Sequence, residues 1–137
     1  MLTLKKMTMR QNIQSGTPWE NLVGYSRVVR IGQLVEVAGT TSMDGDQLIG
    51  KGSLYEQARF IFGKIGRSLN EVGASLSDVI RTRMYVTDIS RWQEAGKAHA
   101  EFFTDIRPVT SMVEVNHLIH DDLLIEVEVT AMIHEIK

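Results

Sequence analysis

Leu123-Leu-Ile-Glu-Val-Glu-Val-Thr-Ala-Met-Ile133 alternates without a break. Leu123, Ile125, Val127, Val129, Ala131 and Ile133 point to one side and Glu126, Glu128 and Thr130 to the other, the period of a strand with one buried face. A strand of this length needs helices or a second sheet to cover its apolar side. The two carboxylates on the other side are either solvated surface or part of a site. Pro108-Val-Thr-Ser-Met-Val-Glu-Val-Asn116 supplies a second strand just upstream.

Further back, Tyr25-Ser-Arg-Val-Val-Arg-Ile31 and Leu34-Val-Glu-Val-Ala-Gly39 flank Gly32-Gln33, a two-residue hairpin loop with glycine first, as a type II′ turn requires. Asp44-Gly45-Asp46 turns the chain toward Leu48-Ile49. Ser53-Leu-Tyr-Glu56 is a capping box, and Leu54, Ala58, Ile61, Phe62, Ile65, Leu69 and Val72 step by three and four, so a helix runs from Ser53 to a left-handed cap at Gly73. Val79–Thr87 is a strand with Ile80, Thr82, Met84 and Val86 on one face and Arg81, Arg83 and Tyr85 on the other. A second helix starts around Asp88 or Ser90 and ends near Phe103, with Trp92, Ala95, His99 and Phe102 on its inner stripe. Right-handed crossovers then place both helices on one face of a mixed sheet, a two-layer α+β domain.

The chain of 137 residues is expected to be one domain, with residues 1–12 as a peripheral segment. It has no cysteine, which excludes disulfides, thiolate metal sites and cysteine nucleophiles. The first residues are too polar for a secretory segment, and no apolar run is long enough for a membrane span, so a cytoplasmic protein without a membrane partner is expected. A net charge of -2 with mixed signs argues against a nucleic-acid partner. His117, His120 and Asp121–Asp122 lack metal-ligand spacing and read as a solvated turn. No phosphate-binding glycine pattern occurs, and neither a metal nor a cofactor is expected.

Val79–Asp88, Glu101-Phe-Phe103, Pro108–Val115 and Ile125–Ala131, together with Gly24-Tyr25-Ser26 and Val37-Ala-Gly39, resemble the YjgF/Rid family of enamine/imine deaminases, whose members include endoribonuclease L-PSP-like proteins. The similarity runs from about Ile13 to Ile133. It implies a chorismate-mutase-like fold, a homotrimer with the sheets inside, and a small-molecule cleft between subunits. In the better-known deaminases a glutamate of the Glu-x-Glu strand positions a water against the imine carbon, and an arginine in a Pro-x-Arg-Ser turn holds the substrate carboxylate. The glutamate carries over to Glu126, the tyrosine near the first strand to Tyr25, and the strand-end glycine to Gly39. Thr110 stands where the arginine is, with Met112 beyond it, and Gly96 replaces an asparagine of the second helix. The implied activity is hydrolysis of a small enamine or imine without arginine-based carboxylate capture. The alternatives are a non-catalytic small-molecule-binding trimer and an RNA-cleaving or translation-inhibiting protein.

Each candidate has a plainer reading. Glu126 is either the reacting acid or one member of an inter-subunit ion pair, while Glu128 pairs with Arg81 or Arg83. His99 is a core histidine or projects past Gly96 into the cleft. Arg107 points to water or reaches in. Trp19, read as a loop residue before the first strand, packs at a subunit boundary or caps a ligand beside Tyr25. The turn Pro108–Ser111 is expected to present Thr110 toward Glu126, on strand faces opposite the helices.

Overall fold

The alternating segment is strand β8 (Ile125–Met132), in the middle of the sheet of a computed structural model that describes residues 9–134. Ile125, Val127, Val129 and Ala131 are buried, while Glu126, Glu128 and Thr130 are half-buried on the opposite face. On one side β8 pairs antiparallel with β3 (Leu34–Thr40), which continues to β2 (Val28–Ile31) and β1 (Arg10–Ile13). On the other it pairs antiparallel with β6 (Val79–Val86), and β7 (Val109–Glu114) runs parallel to β6. The order is β1-β2-β3-β8-β6-β7, a mixed sheet as the element order demands. A small separate hairpin joins β4 (Met43–Asp44) to β5 (Gln47–Leu48).

Helices α2 (Leu54–Asn70) and α3 (Trp92–Phe103) pack on each other and cover one face of the sheet. Leu54, Ala58, Ile61, Phe62, Ile65 and Leu69 form the buried stripe of α2, which meets Val35, Val37, Val127 and Val129 of the sheet. Gln57 lies in that stripe and is fully buried. Its amide donates to Asp122 O at 2.9 Å and accepts from Leu124 N at 2.8 Å, so the helix clamps the β7–β8 connection. Among the described residues no helix is long and apolar enough to cross a membrane.

Several local expectations change. Ser53 Oγ caps Glu56 N at 3.1 Å, but Ser53 N bonds Gly50 O at 2.9 Å, so the Ser53–Glu56 box is closed on one side only. The first hairpin strand begins at Val28 rather than Tyr25, and its turn has Gly32 at φ 61. Residues 10–12 are exposed and help form the edge strand β1. A bulge between Val79 and Arg81 turns Val79 inward and leaves Ile80 exposed, reversing its expected side. Trp92, placed by spacing on the inner stripe, is 53 % exposed. Its ring lies along Gly96, one turn on, where the missing side chain leaves room on the helix surface.

Candidate functional site

β3 carries a bulge opposite β8. Val37 faces Val129 and Thr40 faces Val127, so Ala38 and Gly39 together oppose Glu128 alone. The Glu126 carboxylate lies over this bulge. A Cβ on Gly39 would sit 3.1 Å from the Glu126 carboxyl carbon and collide with Oε2 outright. The glycine leaves the space that the carboxylate occupies, and its φ is not in the left-handed region. Burial pushes the Glu126 carboxyl above the ordinary range; Arg27 pulls it back and Glu128 adds to the rise.

Glu128 has partners of its own. Tyr85 donates to its Oε1 at 2.8 Å, and Arg83 Nε lies 4.0 Å away, so the pairing expected for Glu128 is with Arg83 rather than Arg81. Tyr85, opposite Glu126 in the ladder, is held above the ordinary phenol range mainly by that hydrogen bond. Glu126 itself has no ion-pair partner among the described residues. A shallow depression of about 340 Å³ on the same sheet face is lined by Ser26, Glu36, Arg83 and Glu128, among others.

Arg27 is the site residue the sequence reading did not single out. It is 8 % exposed, and its Nη1 donates to Gly39 O and Thr40 Oγ1, both at 3.0 Å. Its guanidinium carbon lies 5.9 Å from the centroid of the half-buried Tyr25 ring. Tyr25, Arg27, Gly39 and Glu126 therefore share one corner of the sheet. Tyr25 and Arg27 precede β2, outside the alternating segment, so strand periodicity gives no signal for Arg27.

Trp19 stands on a short helix, α1 (Pro18–Val23), instead of a loop, and is 50 % exposed. Its neighbour Glu20 is 1 % exposed. Glu20 accepts from Ser15 N at 2.8 Å, from Thr17 Oγ1 at 3.0 Å and from Ser15 Oγ. Burial pushes its carboxyl up, but these bonds and Arg27 outweigh that and lower it. Glu20 thus ties down the segment that holds Trp19 outward.

Thr110 and Met112 belong to a second group. They pair with the buried Thr82 and Met84 of β6, so they face the helix side, not the side of Glu126. Contrary to the sequence-based expectation, Thr110 does not face Glu126: the two are on opposite faces of the sheet, with β6 between their strands. Thr82 Oγ1 donates to Thr110 Oγ1 at 2.7 Å and contacts His99 Nε2 at 2.9 Å. With the single hydroxyl proton of Thr82 spent on Thr110, His99 Nε2 is the donor in that pair. The His99 ring packs on Phe62 and Phe103, at 5.5 and 4.7 Å between centroids, and desolvation lowers its pKa. It is a satisfied core-edge histidine, and it also lines a cavity of about 350 Å³ with Phe103, Arg107 and Pro108. Arg107 has φ 56 and donates from Nε to Thr104 O at 2.9 Å, closing the end of α3 at the rim of that cavity. Among the other candidates, His120 Nδ1 accepts from Asp122 N at 3.0 Å and Lys51 pairs with Asp122 at 3.6 Å, the contacts of a solvated turn.

The chain is similar over most of its length to known proteins. The family model described as Endoribonuclease L-PSP matches residues 17–133. An uncharacterized Streptomyces coelicolor protein is 40% identical over 121 residues, 88% of this chain and 90% of that one. The 3-aminoacrylate deaminase RutC of Acinetobacter baylyi is 28% identical over 116 residues, 84% of this chain and 90% of that one. Among solved structures, a Mycobacterium tuberculosis member of the YjgF/YER057c/UK114 family is similar with a TM-score of 0.81 and 52% identity, covering 90% of this chain and 99% of that chain.

Proposed function

Because the chain belongs to the Endoribonuclease L-PSP family, the YjgF/Rid family, we propose that it is a hydrolase of a small enamine or imine, with Glu126 as the reacting acid. Membership supports a small-molecule deaminase or binding role in general. The observation that carries the catalytic reading is the Glu126 carboxylate, half-buried over the bare backbone of Gly39 and lacking an ion-pair partner among the described residues. Glu128, two residues on along the same face, is by contrast engaged by Tyr85 and Arg83.

The chemistry needs one group that both takes and returns a proton. Glu126 removes a proton from water as the oxygen adds to the carbon of a protonated imine, whose C=N pair moves to nitrogen. The same proton then passes to the amine, the C–N bond breaks with loss of ammonia, and Glu126 takes the hydroxyl proton as the carbonyl forms and yields it to the departing ammonia. An enamine enters after tautomerising to the imine. A carboxyl raised toward the working pH suits both halves of this cycle.

Thr110 and Glu126 diverge within one chain, so a cleft using both requires two chains. The homotrimer of the family meets that need, and exposed Val109, Val113 and Leu34 give an apolar rim to the uncovered sheet face and its edge. Without an arginine at position 110, a carboxylate would lose a charge-assisted fork, ~2–5 kcal/mol by analogy with truncated charge pairs. The substrate is therefore a small imine whose recognition does not depend on a carboxylate. A second reading, a binding trimer without turnover, draws on Thr110 being already engaged by Thr82. A panel of imines with Glu126→Ala as control separates the two: no hydrolysis of any imine, with ligand binding unchanged in the variant, rejects the enzyme. The net charge of -2 weighs against the RNA-directed role in the family's description.

A further inference from the structure

We propose that Arg27 is a positioning residue for Glu126, its guanidinium clamping the end of β3 through Gly39 and Thr40 and holding a buried positive charge beside the carboxylate that occupies the space over Gly39. Nη1 bonds Gly39 O and Thr40 Oγ1, both at 3.0 Å, on the residue whose missing Cβ seats Glu126. The two charged groups therefore grip the same backbone unit. A single shift of the bulge would move both.

A buried charge normally has a counterion at close range. Arg27 is 8 % exposed, yet no carboxylate of the described residues lies within 4.0 Å of it, and its buried Nε has no hydrogen-bond partner. Its field reaches Glu126 and the buried Glu20 of α1, lowering the proton affinity of both. Among the described residues, the other charged and titratable groups around this corner include Tyr25 under the guanidinium, Glu128 on the strand of Glu126, Tyr85 and Arg83 on β6, and Lys64 on α2. Tyr85 and Arg83 are engaged with Glu128, and Lys64 donates to Met43 O at 2.8 Å. Among the described residues, Arg27 is the cation whose charge opposes the desolvation of Glu126. Its role is to keep a half-buried acid able to ionise, and so able to act as a base as well as an acid.

This inference rests on Glu126 being the working acid, but its test does not need turnover. Carboxyl-carbon NMR titration of the full chain, with the Glu126 signal assigned by Glu126→Gln, compares the parent with Arg27→Gln and Arg27→Lys. Arg27→Gln should raise the Glu126 midpoint by about one pH unit, tenfold in proton affinity, and Arg27→Lys should restore it. An unchanged midpoint in a folded Arg27→Gln overturns the proposal. If Arg27→Gln does not fold, Arg27→Lys decides alone: a parent-like midpoint supports a charge effect, and a full tenfold rise contradicts it. A shifted midpoint in a protein that hydrolyses no imine would leave the Arg27–Glu126 coupling standing and reject the hydrolase instead.

Discussion

Gly39 lacks a side chain at the point where the Glu126 carboxylate lies, and the bulge that holds Gly39 is the only break in the β3–β8 ladder. The glycine and the glutamate are 87 residues apart in sequence and form one unit in space. Filling the gap tests that unit directly.

Gly39→Ala should displace the carboxylate and destabilise the protein by about 1 kcal/mol, the low end of overpacking costs, because the methyl meets the end of a flexible side chain. In urea denaturation the double variant with Glu126→Ala should be more stable than the sum of the two single changes predicts, because truncation makes room for the new methyl. Strict additivity would mean that the two positions do not compete for space.

Glu126→Gln should gain stability at neutral pH. The folded carboxyl is raised above its ordinary value of 4.5 by burial, so its favourable contribution is fully present below 4.5 and is lost as pH rises through the folded value. Above that value the ionised carboxylate is a cost that the neutral amide removes. Denaturation of parent and variant at several pH values should give curves that converge in acid and separate at neutrality; parallel curves would contradict the raised pKa.

Thr82→Val should cost ~0.5–1.5 kcal/mol, since it leaves a half-buried donor on His99 and an acceptor on the exposed Thr110 without their shared partner. Thermal unfolding gives the value directly. A neutral effect would show that water replaces the hydroxyl at the sheet edge.

The strands and helices were legible because their periods are clean: Leu123–Ile133 alternates, and Leu54–Val72 repeats at helical spacing. What failed was local and geometric. Alternation cannot register a bulge, so Ile80 was put inside and the role of Gly39 as an opening for Glu126 had no signature of its own. The expectation for Thr110 falls on the wrong face because its side is set by pairing with Thr82, a parallel register that spacing along β7 does not reveal. Glu20 and Arg27 are polar residues buried by tertiary contacts, and composition gives no warning of them. Glu126 is legible because it lies on the polar face of a long alternating strand, where the family resemblance supplies a reason for it.

Gly96→Ala should stabilise α3 by ~0.5–1 kcal/mol, because alanine is favoured over glycine inside a helix and the backbone here is ordinary. The added Cβ would lie 3.8 Å from the Trp92 ring, a normal contact. A lower melting temperature would show that Trp92 needs that surface bare.

The most direct measurement follows the decay of a freshly generated small imine lacking a carboxylate, at pH 7, with the parent protein and with Glu126→Gln at equal concentration. The account predicts that the parent accelerates ammonia release by at least ~100-fold over the variant, the range of an acid–base group acting in the transition state. Equal rates in parent and variant, with both folded, would contradict it.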